Sequence, residues 1–244
     1  MSLANKILAS GKPVILFHTY SVTKEVLARA IGEGKSMDLD VCVDDAGVPY
    51  LGHSKEFYEK SGEVQPDNMP LWDAVEMLAK SDIPVIVDCK HIEAWPAVEE
   101  VVAKLGAARC LVHAYVPELK FDFSRGPDEP DYLTEWQPIE KLKSVKEKFP
   151  SVTTCASCKW LPDDLSVSEK YDKLLADIRD ILKKNSIDTV CLNIPNNAFN
   201  DRILKFFLEE NILCHIGVDS IDANRFAEMY IGETDDLGRA SSNL

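Results

Sequence analysis

Short apolar runs alternate with longer amphipathic stretches along this chain. The runs are rich in β-branched residues and Leu, which is typical of buried parallel strands. We predict seven strands, over 14–17, 37–43, 83–89, 110–116, 152–158, 189–194 and 213–218. Apolar residues recur at helical spacing between several of them, as in 139–149, 171–185 and 199–211. This order predicts an α/β protein in which helices connect parallel strands.

A closed parallel barrel of this kind has eight strands, one more than the runs supply. Three explanations stay open. The eighth strand is short and lies in the polar tail 227–244, or it lies between 121 and 138, or the barrel is open. Segment 125–138 is rich in proline and acidic residues and is predicted as a long loop, as is segment 54–69. The 244 residues are predicted to form one domain over 1–244.

Local signals place several element ends. Thr23 can cap a helix that begins after it, and Pro70 can begin another. The turn residues 44–47 lead into 48–51, which can return as a short antiparallel arm. In strand 37–43, alternation puts Asp38 and Asp40 on one face of the strand and apolar residues on the other. Two carboxylates therefore share a face.

Net charge and cysteine content narrow the class of protein. The formal charge of −14 disfavours a nucleic-acid-binding protein, which needs a basic surface. An anionic substrate would have to meet a local cation or a metal ion. The seven cysteines are an odd number and lie in or beside the predicted strands, which indicates free thiols in a reducing compartment. We therefore predict a cytoplasmic protein without a transmembrane segment, and we interpret Cys155 and Cys158 as two buried core cysteines.

The candidate chemistry lies where predicted strands end. His18 follows the first strand, Asp38 and Asp40 lie in the second, and the third ends at Asp88 and Lys90. The carboxyl ends of parallel barrel strands form one face, so these side chains can converge. Grouped carboxylates repel one another unless a cation lies among them, and oxygen ligands suit Mg²⁺ or Ca²⁺. The sequence thus predicts a divalent-cation site.

Histidines near such a cation could carry protons during the cleavage of a phosphate ester. His18 and His53, the latter after the return arm, are the candidates. Less specific interpretations remain for each residue. Either histidine could be an ordinary hydrogen-bonded side chain, and Lys90 could be only a salt-bridge partner of Asp88. His91 and His113 have no companions in the pattern and are predicted to be structural or exposed.

These residues, in this order, resemble the glycerophosphodiester phosphodiesterases, and their spacing is closer to the related spider-venom type phospholipases D. The specific resemblance covers about the first 90 residues, and the remainder agrees only in its alternation of strands and helices. It implies a TIM (β/α)8-type barrel, a small phosphodiester substrate and a role in lipid metabolism. It also implies metal ligands at Asp38, Asp40 and Asp88, acid and base roles for His18 and His53, and contact of Lys90 with phosphate.

The chain departs from that family in several positions. Thr19 and Tyr20 replace the Arg-Gly that commonly follows the first histidine, and Asp38 replaces a Glu. Lys159 and His215 lie where a barrel lines its mouth and are further candidates for substrate contact. A barrel that binds phosphate or metal without catalysis, and an unrelated TIM-barrel lyase or isomerase using Lys90 or Lys159 as a Schiff-base lysine, remain alternatives. The oligomeric state is not predicted.

Overall fold

A computed structural model describes residues 1–11, 14–17, 21–62, 64–122, 131–134, 137–159, 168–192, 201–217 and 231–234 of the chain. The strands in these residues belong to one sheet. They are β1 (Val14–Phe17), β2 (Ser36–Val43), β3 (Pro49–Leu51), β4 (Val85–Cys89), β5 (Cys110–Asp122), β6 (Asp131–Thr134), β7 (Thr153–Lys159), β8 (Thr189–Leu192), β9 (Leu213–Gly217) and β10 (Ile231–Thr234).

Eight of the strands are parallel and close on themselves. Around the barrel the order is β1, β2, β4, β5, β7, β8, β9 and β10, and β10 pairs with β1 as well as with β9. The predicted barrel is confirmed, and the eighth strand lies in the tail, where Ile231 pairs with Val14. Four residues containing Gly232 and Glu233 carry no apolar run, which is why the pattern did not locate this strand.

Two strands lie outside the parallel ring. β3 pairs antiparallel with β2 and is the predicted return arm. β6 pairs antiparallel with β5, which extends to Asp122, so the prediction of a loop over 125–138 is wrong at Asp131–Thr134. The segment is polar, so the pattern of apolar residues did not indicate a strand. Backbone pairing with β5 forms the strand instead.

The described helices are α1 (Leu3–Ser10), α2 (Lys24–Gly32), α3 (Lys55–Ser61), α4 (Leu71–Leu78), α5 (Trp95–Leu105), α6 (Gln137–Lys148), α7 (Asp172–Lys184) and α8 (Asp201–Leu208). Among them, α7 is the longest with 13 residues. Within the described part of the chain, no helix is both long and apolar enough to span a bilayer. The predicted caps are present, since the Thr23 hydroxyl accepts from the Val26 amide and Pro70 directly precedes α4.

The prediction of a loop over 54–69 is also wrong in part, because α3 lies within it. The Ser54 hydroxyl accepts a hydrogen bond from the Phe57 amide and begins the helix. Gly62 ends it in a left-handed conformation. This short helix follows His53 directly and brings two aromatic residues, Phe57 and Tyr58, beside it.

The strands present different residues to the two sides of the barrel wall. On β2, Met37, Leu39 and Val41 face outward and pack with the helices in the main hydrophobic core. Asp38 and Asp40 alternate with them and are buried on the inner side. The barrel interior therefore contains charged groups.

Helix α1 closes the amino-terminal end of the barrel. Its Leu3, Ala4 and Ile7 pack against Ile86 and Leu213, which lie in the first half of their strands, in a second apolar cluster. The Ala4 amide donates to the Thr153 hydroxyl on β7 at 2.9 Å, which fixes the helix to the wall. The polar interior thus lies above an apolar plug that the sequence analysis did not predict, since two helical turns show little periodicity.

The plug predicts a stability effect that can be measured. Ile7 is 1% exposed, so Ile7→Ala should leave a cavity and lower the free energy of unfolding by about 2–5 kcal/mol. Val64 is 90% exposed, so Val64→Ala should change the free energy of unfolding by less than about 0.5 kcal/mol. Urea titration followed by circular dichroism checks both, and equal effects would contradict the packing of α1 in the barrel.

Candidate active site

Three carboxylates meet inside the barrel. Asp38 and Asp40 lie on β2, and Asp88 lies on the adjacent β4, where it is the register partner of Asp40. One oxygen from each side chain lies within 4.8 Å of the others. All three residues are at least nine-tenths buried. The structure therefore brings together the three predicted metal ligands.

Lys90 lies between two of these carboxylates. Its Nζ is 3.0 Å from Asp40 Oδ1 and 2.7 Å from Asp88 Oδ2. Burial opposes a charge on Lys90, but the attraction of Asp88, Asp40 and Asp38 raises the pKa of its ammonium well above the usual range. Burial also opposes the Asp88 charge, yet Lys90 and His113 lower the pKa of that carboxyl. The cluster consequently contains a persistent cation beside the ionised Asp88 carboxylate.

His53 contacts the same cluster from the loop after β3. Its Nε2 is 3.1 Å from Asp40 Oδ2, and its ring stacks on Phe57 at a centroid distance of 4.1 Å. Two tyrosines fix its backbone, because the Tyr50 hydroxyl donates to the His53 carbonyl and the His53 amide donates to the Tyr58 hydroxyl. A histidine held on both sides in this way keeps one ring nitrogen directed at Asp40.

Gly52 allows the chain to place His53 there. Its φ is +126°, which side-chain-bearing residues rarely adopt, and a Cβ on it would lie 3.2 Å from both Asn68 Nδ2 and the Tyr58 hydroxyl. Its amide donates to the Asp40 carbonyl at 2.9 Å. The sequence analysis missed this residue, although a glycine directly before a candidate histidine is a signal that could have found it.

His113 also belongs to the site, so the prediction that it has no companions is wrong. It is the register partner of Asp88 on β5, and its Nδ1 is 3.3 Å from Asp88 Oδ2. Its Nε2 is 3.2 Å from the Ser157 hydroxyl. Burial opposes protonation, but Asp88 raises the pKa of His113 well above its usual value. Strand alternation could have indicated it, because His113 and Asp88 both occupy the fourth position of neighbouring strands.

A second group of side chains lies beside His113 on the same inner face. His215 on β9 packs edge-on against His113, with ring centroids 5.3 Å apart, and its Nδ1 is 4.0 Å from Cys155 Sγ. Cys191 on β8 is partly buried. Burial would raise the pKa of its thiol, but hydrogen bonds with His113 and His215 lower that pKa to about 6. These four side chains form a nitrogen and sulfur cluster next to the carboxylates.

The remaining candidates have different outcomes. His18 lies outside the described residues, and so does the side chain of Lys159, whose backbone ends β7. His215, predicted to contact substrate, is 2% exposed within the nitrogen and sulfur cluster. His91 is exposed, as predicted, and its Nδ1 is 2.6 Å from Glu93 Oε2. Cys155 and Cys158 are both buried free thiols, as predicted, but they face opposite sides of the barrel wall.

The carboxylate cluster suits a hard divalent cation. Its candidate ligand atoms are all oxygens, as Mg²⁺ and Ca²⁺ prefer. Asp88 Oδ1 is buried and accepts no hydrogen bond from the described residues, so it has a lone pair available for a cation. Asp38, Asp40 and Asp88 are the residues that would hold the ion.

Comparisons with known proteins support the fold. No protein-family model matches the sequence, and no curated protein is significantly similar to it. Among solved structures, glycerophosphodiester phosphodiesterase from Agrobacterium tumefaciens str. C58 aligns with a TM-score of 0.53 at 11% identity, over 91% of this chain and 96% of that one. N-(5'-phosphoribosyl)anthranilate isomerase from Pyrococcus furiosus aligns with a TM-score of 0.51 at 12% identity, over 91% and 88%.

Oxaloacetate acetylhydrolase in complex with the product oxalate aligns with a TM-score of 0.55 at 12% identity, over 99% of this chain and 81% of that one. Identities this low carry similarity of fold and not of activity. The chain has the TIM-barrel fold.

Proposed function

We propose that this barrel is a metal-dependent phosphodiesterase that cleaves glycerophosphodiesters or lysophospholipid head groups. One observation carries the proposal: His53 and Lys90 both contact Asp40 within a buried group of three carboxylates. A cation site, a proton carrier and a fixed positive charge are the parts that phosphodiester cleavage needs, and here they lie within one constellation.

His53 is the proposed proton carrier on one side of the phosphorus. The Asp40 carboxylate orients the ring through Nε2, and the stack on Phe57 limits its rotation. A histidine held in this way can take a proton from an attacking oxygen or give one to a leaving oxygen. The assignment of acid or base depends on the direction from which substrate binds.

His18 is the proposed partner on the opposite side. It follows Phe17, the last residue of β1, and β1 is the parallel neighbour of β2. Phe17 is the register partner of Met37, which directly precedes Asp38, and this pairing is the support for proposing His18 as the second histidine. Two histidines that flank the phosphorus would divide the acid and base roles between them.

Lys90 supplies a positive charge to an otherwise acidic interior. Its ammonium offsets one of the three carboxylate charges. A divalent cation held by Asp38, Asp40 and Asp88 would supply the remaining positive charge and polarise a phosphoryl oxygen. Lys90 would then orient the phosphate as a point charge, in the absence of the Arg that Thr19 and Tyr20 replace.

The site disfavours a Schiff-base mechanism at Lys90. A lysine that attacks a carbonyl must lose its proton, whereas the surrounding carboxylates raise the pKa of Lys90. The fold does not select a reaction by itself, because the structural neighbours named above include an isomerase. The competing hypothesis is a barrel that binds a phosphodiester without cleaving it. Experiment must distinguish binding from hydrolysis.

Hydrolysis assays test the proposal directly. Glycerophosphocholine, glycerophosphoethanolamine, lysophosphatidylcholine and bis(p-nitrophenyl) phosphate are assayed with Mg²⁺, Ca²⁺ or Mn²⁺ and with EDTA. We expect cleavage of at least one substrate, abolished by EDTA. His53→Ala should lower kcat about 10²- to 10⁴-fold because proton transfer is lost, and Asp40→Asn should also reduce turnover strongly.

His91→Ala is the matched control, since His91 is an exposed histidine outside the cluster and its loss should leave kcat unchanged. Circular dichroism establishes that each variant is folded. Full activity in folded His53→Ala protein would overturn the assigned role. Absence of cleavage across the panel, with calorimetry still detecting cation binding, would replace the proposed hydrolysis with a binding function.

A second prediction concerns the cation alone. Lys90→Met removes the charge between Asp40 and Asp88, which should destabilise the fold by about 3–5 kcal/mol in EDTA because buried carboxylates lose their partner. A divalent cation should restore more stability to this variant than to the wild type, since it replaces the missing charge.

Thermal unfolding with EDTA, Mg²⁺ and Ca²⁺ measures this difference. Lys104→Met serves as the control because Lys104 is half exposed and its ammonium pairs with Glu100 on the surface of α5, away from the carboxylates. If neither Mg²⁺ nor Ca²⁺ changes the Tm of the Lys90→Met protein, the proposed cation site at the carboxylates is wrong.

A further inference from the structure

We propose that the barrel interior contains a second metal site, formed by His113, Cys155, Cys191 and His215, that binds Zn²⁺. It is distinct from the carboxylate site in its ligand atoms, and it does not depend on the proposed phosphodiesterase activity. The site would hold four strands of the barrel wall together beneath the candidate active site.

The ligand atoms are already close to one another. One ring nitrogen each from His113 and His215 and the Cys155 sulfur lie within 4.8 Å of each other. Cys191 is the register partner of His215 on the neighbouring strand, and both imidazoles act on its thiol, so it is the proposed fourth ligand. Zinc bonds of about 2.3 Å to sulfur and about 2.0 Å to nitrogen set the ligand atoms of a tetrahedral site about 3.3–3.8 Å apart, so only small shifts are needed.

The barrel supplies these ligands from rigid positions. They lie on the inner faces of the consecutive strands β5, β7, β8 and β9, and His113 pairs with Cys155, as Cys191 does with His215, in the strand register. Side chains at paired positions on one face of a sheet are neighbours. The cluster therefore follows from strand pairing and not from a flexible loop.

The chemistry of the ligands selects the ion. Two imidazoles and two thiols form the Cys₂His₂ set that structural zinc sites use, whereas Mg²⁺ and Ca²⁺ prefer oxygen. His113 and His215 are almost fully buried, and Cys155 is completely buried. Cys191 is partly buried, so three of the four proposed ligands are shielded from water.

An outer partner is also present. A histidine bound to zinc commonly donates its other ring N–H to a carboxylate, which fixes the orientation of the ring. Asp88 Oδ2 lies 3.3 Å from His113 Nδ1 and can accept this hydrogen bond. Asp88 thus connects the two clusters, because its side chain also pairs with Lys90.

The competing interpretation is a hydrogen-bonded core without metal. The same barrel provides matched cysteines for comparison, since Cys158 and Cys214 lie on β7 and β9 but face outward into the aliphatic core. They share the burial of Cys155 without its histidine neighbours. A metal site predicts that only the inward cysteines matter for metal binding.

Cobalt substitution tests the site with the full-length chain. The protein is stripped of metal and titrated with Co²⁺, which gives a thiolate charge-transfer band and intense visible bands in a tetrahedral sulfur site. We expect these bands to saturate at one Co²⁺ per chain and to be displaced by Zn²⁺. Cys155→Ser and His215→Gln should abolish them, whereas Cys158→Ser and Cys214→Ser should retain them.

Asp40→Asn separates this site from the carboxylate site, because it should weaken Mg²⁺ or Ca²⁺ binding and leave the cobalt bands intact. X-ray absorption of the zinc-loaded wild type needs no variant, so it stands even if a substitution prevents folding. It should show sulfur at about 2.3 Å and nitrogen at about 2.0 Å. Absent bands, bands that survive in Cys155→Ser, or a zinc shell of oxygen alone would overturn the proposal.

Discussion

The burial of three carboxylates inside the barrel is the constraint on which the rest of the site depends. Moving an ion from water into a protein interior costs several kcal/mol unless a partner charge and hydrogen bonds compensate. Lys90 meets this requirement for Asp40 and Asp88, and His113 meets it again for Asp88. Burial opposes both charges, but Lys90 and His113 lower the pKa of Asp88 and the carboxylates raise the pKa of Lys90, so this pair stays charged at neutral pH.

The strand register distributes these groups into one continuous row. Asp40, Asp88, His113 and Cys155 are successive register partners across β2, β4, β5 and β7. The row begins with oxygen ligands and ends with nitrogen and sulfur, which gives the two halves of the barrel different ion preferences. Below the row, α1 and the apolar starts of the strands exclude water. Fold stability and site chemistry are therefore separated along the barrel axis.

The TIM barrel supports many reactions, so the function has to be argued from the side chains at its centre. His53 is the group whose placement depends most on local structure. It requires the positive φ of Gly52, two tyrosine hydrogen bonds and the stack on Phe57 from α3. These contacts direct the His53 ring at the Asp40 carboxylate. They involve α3, a helix within the segment 54–69 that composition alone predicts as a loop.

The sequence by itself determined the strand order, the barrel class and the grouping of Asp38, Asp40, Asp88 and Lys90. Alternation along β2 and the polar ends of strands are local properties that a linear pattern records. Tertiary structure decided which strand closes the barrel, where β6 pairs, and that His113 and His215 meet Cys155 and Cys191. These contacts depend on pairing between strands distant in sequence. Since a single chain position carries no record of its register partner, only the closed barrel revealed them.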